Sequence, residues 1–469
     1  MAQISSRTIA KNMILSVFAQ IISLITSIIV NLIVPKIIDG YQYAFWQTYI
    51  LYGSYTGILH LGLLDGIILR YSKYDYEQID KKKLSSNFWF LFVLLLFFSI
   101  IGILFSSIFL SSETKYIFIL VSICLVTKNL FMFTSNSFQI TNRIKEYTSL
   151  IIRQRIIYGI FVIILLYINV KYFIWYCIVD ILADIIGFLG TLNKNRLIYK
   201  FYTGNLNSNF SDIVLNLKSG ISLMTANFSS NLLVGSAKIY VQSFWKPLIF
   251  GQVSFGFSIT NLFLTFITAI SVVLFPSIKR MEEKKLPNFY KKVRNVLTPI
   301  LLTALLFYFP GSYLLGNWLP KYRNSVMLAG VLLPIIIYST RMSLLTNNYF
   351  KAYRLEQRLL QINIISILLE LFCLYFSHLF FQNILFVLLL TVLVTVFKSI
   401  WSEITIEKII KAKLRIELIL ELVILIIFVL SNVFLSSTLA FVVYGVTLSL
   451  YLVIFRTQIY DSIIYFKNN

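Results

Sequence analysis

The chain has 469 residues, of which 58% are hydrophobic and 13% are charged. The charged fraction is about half that of an average soluble domain, which excludes an ordinary water-soluble globular protein. The formal net charge of +22 does not indicate nucleic-acid binding, because the basic residues are spread over the segments between long apolar runs. The three cysteines lie inside apolar runs, and their odd number indicates no disulfide framework.

Fourteen apolar stretches are long enough to cross a bilayer, which takes about 18 to 20 helical residues. The first is too long for the apolar part of a secretory signal peptide, and no small-residue cleavage site follows it, so we expect it to remain as a helix. The predicted fold class is an all-α polytopic membrane protein with about 14 transmembrane helices. The predicted spans are 12–34, 42–69, 86–109, 115–139, 148–169, 172–192, 218–243, 251–277, 295–316, 324–348, 359–381, 383–403, 414–435 and 437–456.

The distribution of Lys and Arg predicts the orientation of these spans. When the amino terminus is placed in the cytoplasm, every cytoplasmic segment carries more basic residues than the outer loops on either side of it. This bias follows the positive-inside rule, and it supports fourteen spans with both termini in the cytoplasm.

An internal repeat predicts the domain organisation. Aligning Gly40 with Gly251 places "VPKIIDGYQYAFWQTYILYG" opposite "WKPLIFGQVSFGFSITNLFL", and Gln20 then falls on Asn231. Six spans per half in the same orientation predict two six-helix lobes in a parallel repeat, a type of arrangement that encloses a cleft. The predicted domains are an N-terminal six-helix lobe, 1–192; a cytoplasmic linker, 193–217; a C-terminal six-helix lobe, 218–403; and two additional transmembrane helices with a cytoplasmic tail, 404–469.

Three charged residues lie near the middle of predicted spans in the first lobe, Lys128 in the fourth span and Asp180 and Asp184 in the sixth. An ionised side chain at mid-bilayer costs about 2.5–3.5 kcal/mol, so we expect all three to face the protein interior. One interpretation is that Lys128 pairs with one aspartate and fixes helix packing. A second is that the two carboxylates, four residues apart on one helix face, form a proton or sodium site for ion coupling. A third is a polar lining without a specific role.

In the second lobe, Lys238 and Arg341 also lie within predicted spans. Buried positive charge suits an anionic substrate such as a pyrophosphate, which Arg grips through two hydrogen bonds and Lys contacts as a point charge. The alternative for Lys238 is that its side chain reaches the outer surface. Polar residues on the repeated helix faces would add hydrogen bonds. The substrate-contacting residues predicted from depth and polarity are Lys128, Lys238, Arg341, Gln20, Asn227 and Asn231.

Motifs for enzymatic chemistry are absent from the sequence. It contains no GxxxxGK[ST] phosphate loop, no HExxH and no CxxC, and its two histidines lie on different predicted spans. The predicted outer loops are too short for an extracytoplasmic catalytic domain, which argues against a polytopic polymerase or acyltransferase. We therefore predict a transporter rather than an enzyme, with no cofactor apart from coupling to H⁺ or Na⁺.

Two stretches resemble bacterial polysaccharide repeat-unit flippases of the multidrug/oligosaccharidyl-lipid/polysaccharide exporter superfamily. The first is "DGYQYAFWQTYILYGSYTGILHLGLLDGIILRYSK", and the second is "LKSGISLMTANFSSNLLVGSAKIYVQSFW" with "VLFPSIKRM". The family often has an Asp-Arg pair late in the seventh helix, where this chain has Ala237 and Lys238. The matching positions are Gly40, Tyr41, Leu61, Gly62, Leu63, Arg70, Tyr71, Leu217, Lys218, Gly220, Leu274, Phe275, Pro276 and Arg280.

The resemblance implies a function. It implies a flippase that moves undecaprenyl-pyrophosphate-linked oligosaccharide repeat units across a bacterial cytoplasmic membrane by alternating access, with Arg70 among the substrate-binding residues. The implied partners are this lipid-linked sugar, membrane lipids and other polysaccharide-assembly membrane proteins. A cation-coupled multidrug exporter of the same superfamily is the alternative. The spacing of Gly62 and Gly66 separately predicts close helix packing, and Asp65 has no predicted role.

Overall fold

The computed structural model describes residues 6–72, 74, 76–202, 206–262, 286–353, 355–411 and 415–468. Every regular element in these residues is helical, which confirms the all-α class. The chain divides into two compact units, Met1–Asn231 and Leu232–Asn469. Four residues of the family resemblance, Leu274, Phe275, Pro276 and Arg280, lie outside the described residues.

The first unit is built from long helices joined by short connections. Two of its helices begin with an acidic side chain that accepts hydrogen bonds from free backbone amides. Asp39 accepts one from the amide of Tyr41 at 3.1 Å, and Asp80 accepts one from the amide of Lys82 at 2.9 Å. The helices are Ser6–Ile28, Gly40–Gly53, Leu63–Tyr71, Lys81–Phe109, Ser112–Ile140, Ile144–Tyr167, Phe173–Leu189, Arg196–Tyr199 and the first part of Leu206–Phe244, with a π-helical turn at Ile29–Ile33 continued by Val34–Ile37.

The second unit begins within the same long helix, Leu206–Phe244, which therefore crosses the boundary between the units. A helix over 247–262 follows it. The remaining helices are Leu286–Leu306, Tyr308–Trp318, Arg323–Leu332, Pro334–Arg341, Asn347–Ala352, Glu356–Phe380, Ile384–Ile410, Arg415–Phe434, Ser437–Ile454 and Arg456–Asn468, with a π-helical turn at Met342–Thr346.

Nine helices in the described part of the chain are long and apolar enough to cross a membrane, and a bent pair would make ten. That pair is Pro320–Leu332 and Pro334–Phe350, which meet at 42° where the predicted tenth span runs. The sixth, seventh and eighth predicted spans fall on Phe173–Leu189, on the long helix and on 247–262, where the eighth span continues outside the described residues. The observed helices are compatible with fourteen spans.

The predicted second span, 42–69, is not one continuous helix. It consists of Gly40–Gly53, a 3₁₀ turn at Thr56–His60 and a separate short helix, Leu63–Tyr71. The break lies at Leu61 and Gly62, whose φ angles of 53° and 84° are left-handed. Glycine adopts that conformation without a steric penalty, so the sequence can end one helix and start another here.

The short helix is anchored in the apolar core of the first unit. Leu63, Leu64 and Ile67 are almost completely buried among side chains of Lys81–Phe109 and Ser112–Ile140. Ile213 of the long helix joins the same core. Burial of these apolar side chains holds the short helix in place although it has only nine residues, too few to be stable alone.

Candidate functional site

Lys128 and Asp180 form an ion pair inside the first unit. The Lys128 Nζ atom lies 3.2 Å from Asp180 Oδ2, and the hydroxyl of Tyr49 donates a hydrogen bond to the same oxygen at 2.9 Å. The Lys128 side chain is 33% exposed, so the pair is accessible from one side. Three helices therefore bring together a cation, a carboxylate and a phenol at a position that can still be reached.

Asp184 lies one helical turn from Asp180 but has different partners. It is 4% exposed. Its Oδ1 atom accepts a hydrogen bond from the Gln154 side-chain amide at 2.9 Å, whereas its Oδ2 atom has no hydrogen-bond partner among the described residues. A buried carboxylate with a free oxygen is costly unless it binds a proton or a cation. The two aspartates therefore differ, because Asp180 is neutralised by Lys128 and Asp184 is not similarly satisfied.

Four buried charges form a cluster in the second unit, which we call the buried quartet: Arg294, Arg341, Glu403 and Glu421. Arg294 lies 3.4 Å from Glu403 and 2.8 Å from Glu421, and Arg341 lies 2.8 Å from Glu403 and also contacts Glu421. Each side chain is only 1–2% exposed. The cluster contains two positive and two negative charges, so it is neutral as a whole.

The quartet and two further contacts fix the last two predicted spans to the second unit. Glu421 belongs to Arg415–Phe434, the first of the two. Farther along that helix, Asn432 accepts a hydrogen bond from the Tyr308 hydroxyl at 2.9 Å. On the next helix, Tyr444 donates a hydrogen bond to the Leu302 carbonyl at 2.7 Å. The two added helices are therefore bound to the unit by buried and partly buried polar contacts as well as by apolar packing.

The remaining residues predicted to contact substrate lie in several environments. Lys238 is partly buried, with its Nζ atom 5.8 Å from the centre of the Phe257 ring. Asn231 is exposed and Gln20 is partly buried. The side-chain amide of Asn227 donates a hydrogen bond to Asp65 at 3.3 Å. Arg341 belongs to the buried quartet, so its positive charge is already balanced within the protein.

Arg70 belongs to a polar cluster centred on Asp212. Its guanidinium lies 2.8 Å from Asp212 Oδ1 and donates a hydrogen bond to Asn216 at 2.5 Å. The Tyr71 hydroxyl and the Asn87 amide donate to the other oxygen of Asp212 at 2.8 and 2.9 Å. Arg70 is thus held by the start of the long helix, and 32% of its side chain remains exposed.

Sequence reasoning missed three of these partners. Arg294 comes just before the predicted ninth span, 295–316, but it lies inside Leu286–Leu306 and is 1% exposed. Glu421 and Asp212 received no role. Glu403 ends the predicted twelfth span, 383–403, a position typical of an anchor at the membrane interface, whereas the structure buries it in the quartet.

No group of three or more His, Cys, Asp or Glu side chains in the described residues could hold a metal ion. Glu370 accepts a hydrogen bond from Thr391 at 2.8 Å and is a buried carboxylate of the second unit that lies outside the quartet.

Comparison with solved structures places the fold. The structure of lipid II flippase MurJ in an inward closed conformation matches with a TM-score of 0.66 and 13% identity, covering 96% of this chain and 100% of that one. An inward-facing multidrug resistance MATE family transporter of the MOP superfamily matches with a TM-score of 0.59 and 12% identity, covering 84% and 99%. A MOP superfamily transporter from Pyrococcus furiosus matches with a TM-score of 0.50 and 11% identity, covering 86% and 97%.

No family model matches the sequence. No curated protein matches it either. The structural matches nevertheless extend over most of the chain. The chain therefore shares its fold with a lipid II flippase and with a multidrug resistance MATE family transporter of the MOP superfamily.

Proposed function

We propose that the protein is a flippase that moves undecaprenyl-pyrophosphate-linked oligosaccharide repeat units from the inner to the outer leaflet of a bacterial cytoplasmic membrane. The observation that carries this proposal is the extent of the structural match. The lipid II flippase matches 96% of this chain, whereas the multidrug transporter matches 84%. The sequence resemblance to polysaccharide flippases supports the same substrate class.

In this proposal the protein works by alternating access. The sugar and pyrophosphate contact polar and cationic side chains while the polyprenyl tail stays in the lipid. Moving the charged head through hydrocarbon alone would be prohibitively costly, and moving the tail costs little because it never leaves an apolar medium. The protein therefore has to supply only a path for the head group. Both termini lie in the cytoplasm in this proposal, as the positive-inside rule predicts.

Lys128 is the cation that we assign to the pyrophosphate. It has one carboxylate partner, Asp180, and its side chain is one-third exposed. An arriving phosphate can compete with Asp180 for the ammonium group, because charge-assisted hydrogen bonds to either acceptor are similar in strength. Arg341 is less suited to this role, since two carboxylates already hold its guanidinium in a sealed position. Lys238 is the corresponding candidate in the second unit.

The test measures the flipping rate of the purified protein in proteoliposomes that contain a fluorescent polyprenyl-pyrophosphate oligosaccharide. An impermeant quencher reports how much of the fluorescent lipid lies in the outer leaflet. Replacing Lys128 with Gln is expected to lower the flipping rate by roughly 10- to 100-fold, because a hydrogen bond to a charged group contributes about 1.5–3 kcal/mol. Lys115→Gln, on the same helix Ser112–Ile140, is the matched control and should leave the rate unchanged.

Two results would contradict the proposal. If Lys128→Gln flips the pyrophosphate lipid as fast as the unmodified protein, the head group is not held by this lysine. If the purified chain flips no lipid-linked sugar but exports organic cations down a proton or sodium gradient, the multidrug exporter is the correct alternative. The shared fold with a multidrug transporter makes that second assay a necessary part of the experiment.

A further inference from the structure

The short helix Leu63–Tyr71 and the first part of the long helix Leu206–Phe244 make an antiparallel contact inside the first unit, which we call the inner contact. Arg70 meets Asp212 and Asn216, Gly66 meets Asn216, and Gly62 meets Gly220. The contacting positions are four residues apart on each helix, so they form one face of each. The contact runs from the polar end of the short helix to the break that precedes it.

Glycine allows the two backbones to touch at the centre of the inner contact. A Cβ atom on Gly66 would lie 1.9 Å from the carbonyl oxygen of Asn216, and one on Gly220 would lie 1.9 Å from the carbonyl oxygen of Gly62. Both distances are far inside van der Waals contact and involve backbone atoms that cannot rotate away. Alanine at either position would therefore push the helices apart.

Polar groups close both ends of the inner contact. At one end, Arg70 and Asp212 form the ion pair described above, with Asn87 and Asn216 hydrogen-bonded to each other at 2.9 Å beside it. At the other end, Asp65 accepts a hydrogen bond from Asn227 at 3.3 Å. His60 lies 3.7 Å from the same carboxylate. Asp65, which had no predicted role, thus lies against the long helix.

The inner contact differs in kind from the buried quartet. The Arg70 side chain is 32% exposed, so water can replace its partners when the contact opens, whereas every quartet side chain is sealed at 1–2%. Asp212 is only 6% exposed, but the accessible Arg70 makes this pair less costly to separate than a sealed pair, whose breaking is strongly unfavourable. The left-handed break at Leu61 and Gly62 also separates the short helix from Gly40–Gly53, which gives it a place to pivot.

We propose that the inner contact is a reversible gate on the cytoplasmic side, closed in this structure and opened to admit substrate. Both sides of the inner contact lie in the first unit, and the long helix continues past Asn231 into the second unit. Arg70 lies near the inner membrane surface in the predicted orientation, which places the gate there. This inference rests on the proposed transport function and assigns Arg70 to gating through Asp212.

The experiment measures access from the cytoplasmic side without using any substrate. A cysteine introduced by Asn231→Cys reports access of a reagent from the cytoplasmic side. Position 231 lies on the same face of the long helix as Gly220, roughly three turns beyond it. Cys124, Cys177 and Cys373 are replaced by Ala. An impermeant maleimide is then applied to membrane vesicles of either orientation.

Gly66→Ala and Gly220→Ala are expected to raise the rate of labelling from the cytoplasmic side by about tenfold, because overpacking of this size shifts the balance toward the open contact. Gly57→Ala is the matched control, since a Cβ atom there meets nothing within 4 Å. Labelling from the outer side should fall or stay unchanged in the two gate variants.

Arg70→Gln provides a second route if an alanine variant does not fold. It should also raise cytoplasmic labelling, and Arg70→Lys, which keeps the charge but not the two-pronged contact, should give an intermediate rate. If folded, monodisperse Gly66→Ala and Arg70→Gln proteins are labelled from the cytoplasmic side at the wild-type rate, the inner contact is not a gate. If the gate variants raise cytoplasmic labelling but the protein flips no lipid-linked sugar, the proposed function is wrong and the proposed gate is supported.

Discussion

Replacing Glu421 with Gln is expected to destabilise the second unit by about 3–5 kcal/mol, the usual cost of removing one partner from a buried ion pair. The substitution leaves Arg294 and Arg341 with Glu403 as the remaining carboxylate of the quartet, so one positive charge becomes uncompensated in a sealed interior. Thermal unfolding of the detergent-solubilised protein, followed by intrinsic fluorescence, measures the effect. We expect a lower transition midpoint and less folded protein after size-exclusion chromatography.

Glu417→Gln is the matched control for this prediction. Glu417 lies one turn earlier on the same helix, Arg415–Phe434, and is only partly buried. Its neutralisation should change the midpoint little. If the Glu421→Gln protein unfolds at the same midpoint as the Glu417→Gln control, the quartet does not stabilise the helix Arg415–Phe434. A four-residue replacement by apolar side chains of similar volume should recover the stability, because such replacements of whole buried clusters are often neutral or stabilising.

The difference between Glu421 and Lys128 explains which site residues could be predicted from the sequence. Lys128, Asp180 and Asp184 lie deep in apolar spans, so their desolvation cost alone indicates that they face the interior. Arg294 and Glu421 lie near span ends, where charged residues are ordinary and composition gives no signal. Their burial depends on which helices pack together, and that information is absent from a single chain's hydropathy pattern.

The helices show the same division. Apolar length predicted the positions of most spans, because the bilayer imposes that length on every helix that crosses it. It did not predict that the long helix begins at Leu206, within a polar stretch that the sequence assigned to a linker. The side chains of Asp212, Ile213 and Asn216 explain this result, since tertiary hydrogen bonds and burial stabilise a segment with little apolar periodicity of its own.

The break in the second span was also not predictable from hydropathy. The glycine spacing in "HLGLLDG" predicted close packing, and Gly66 does lie against the backbone of the long helix. The left-handed conformation of Leu61 and Gly62 is a separate feature, because glycine permits a positive φ without requiring it. Only the packing of the short helix into its core selects that conformation.

Replacing Asp184 with Asn is expected to abolish the response of flipping to an ion gradient while leaving the fold intact. Asn copies the neutral, protonated carboxyl group and can keep the contact with Gln154, so no buried charge is left unpaired. A tenfold difference in the concentration of one coupled ion supplies about 1.4 kcal/mol, which is a tenfold change in substrate accumulation. The variant should lose that tenfold increase in substrate accumulation, which is measured in proteoliposomes with an imposed proton or sodium gradient.

Asp39→Asn and Asp180→Asn separate coupling from other effects of losing a carboxylate. Asp39 is exposed at a helix start, so its replacement should leave the gradient response unchanged. Asp180→Asn removes the carboxylate partner of Lys128, and we expect it to impair folding or head-group release rather than coupling alone. A full gradient response in folded Asp184→Asn protein would exclude this carboxylate as the ion site. Loss of the response to one gradient and not to the other would identify the coupled ion. The free oxygen of Asp184 can accept a proton unaided, whereas a sodium ion requires several further oxygen ligands around it.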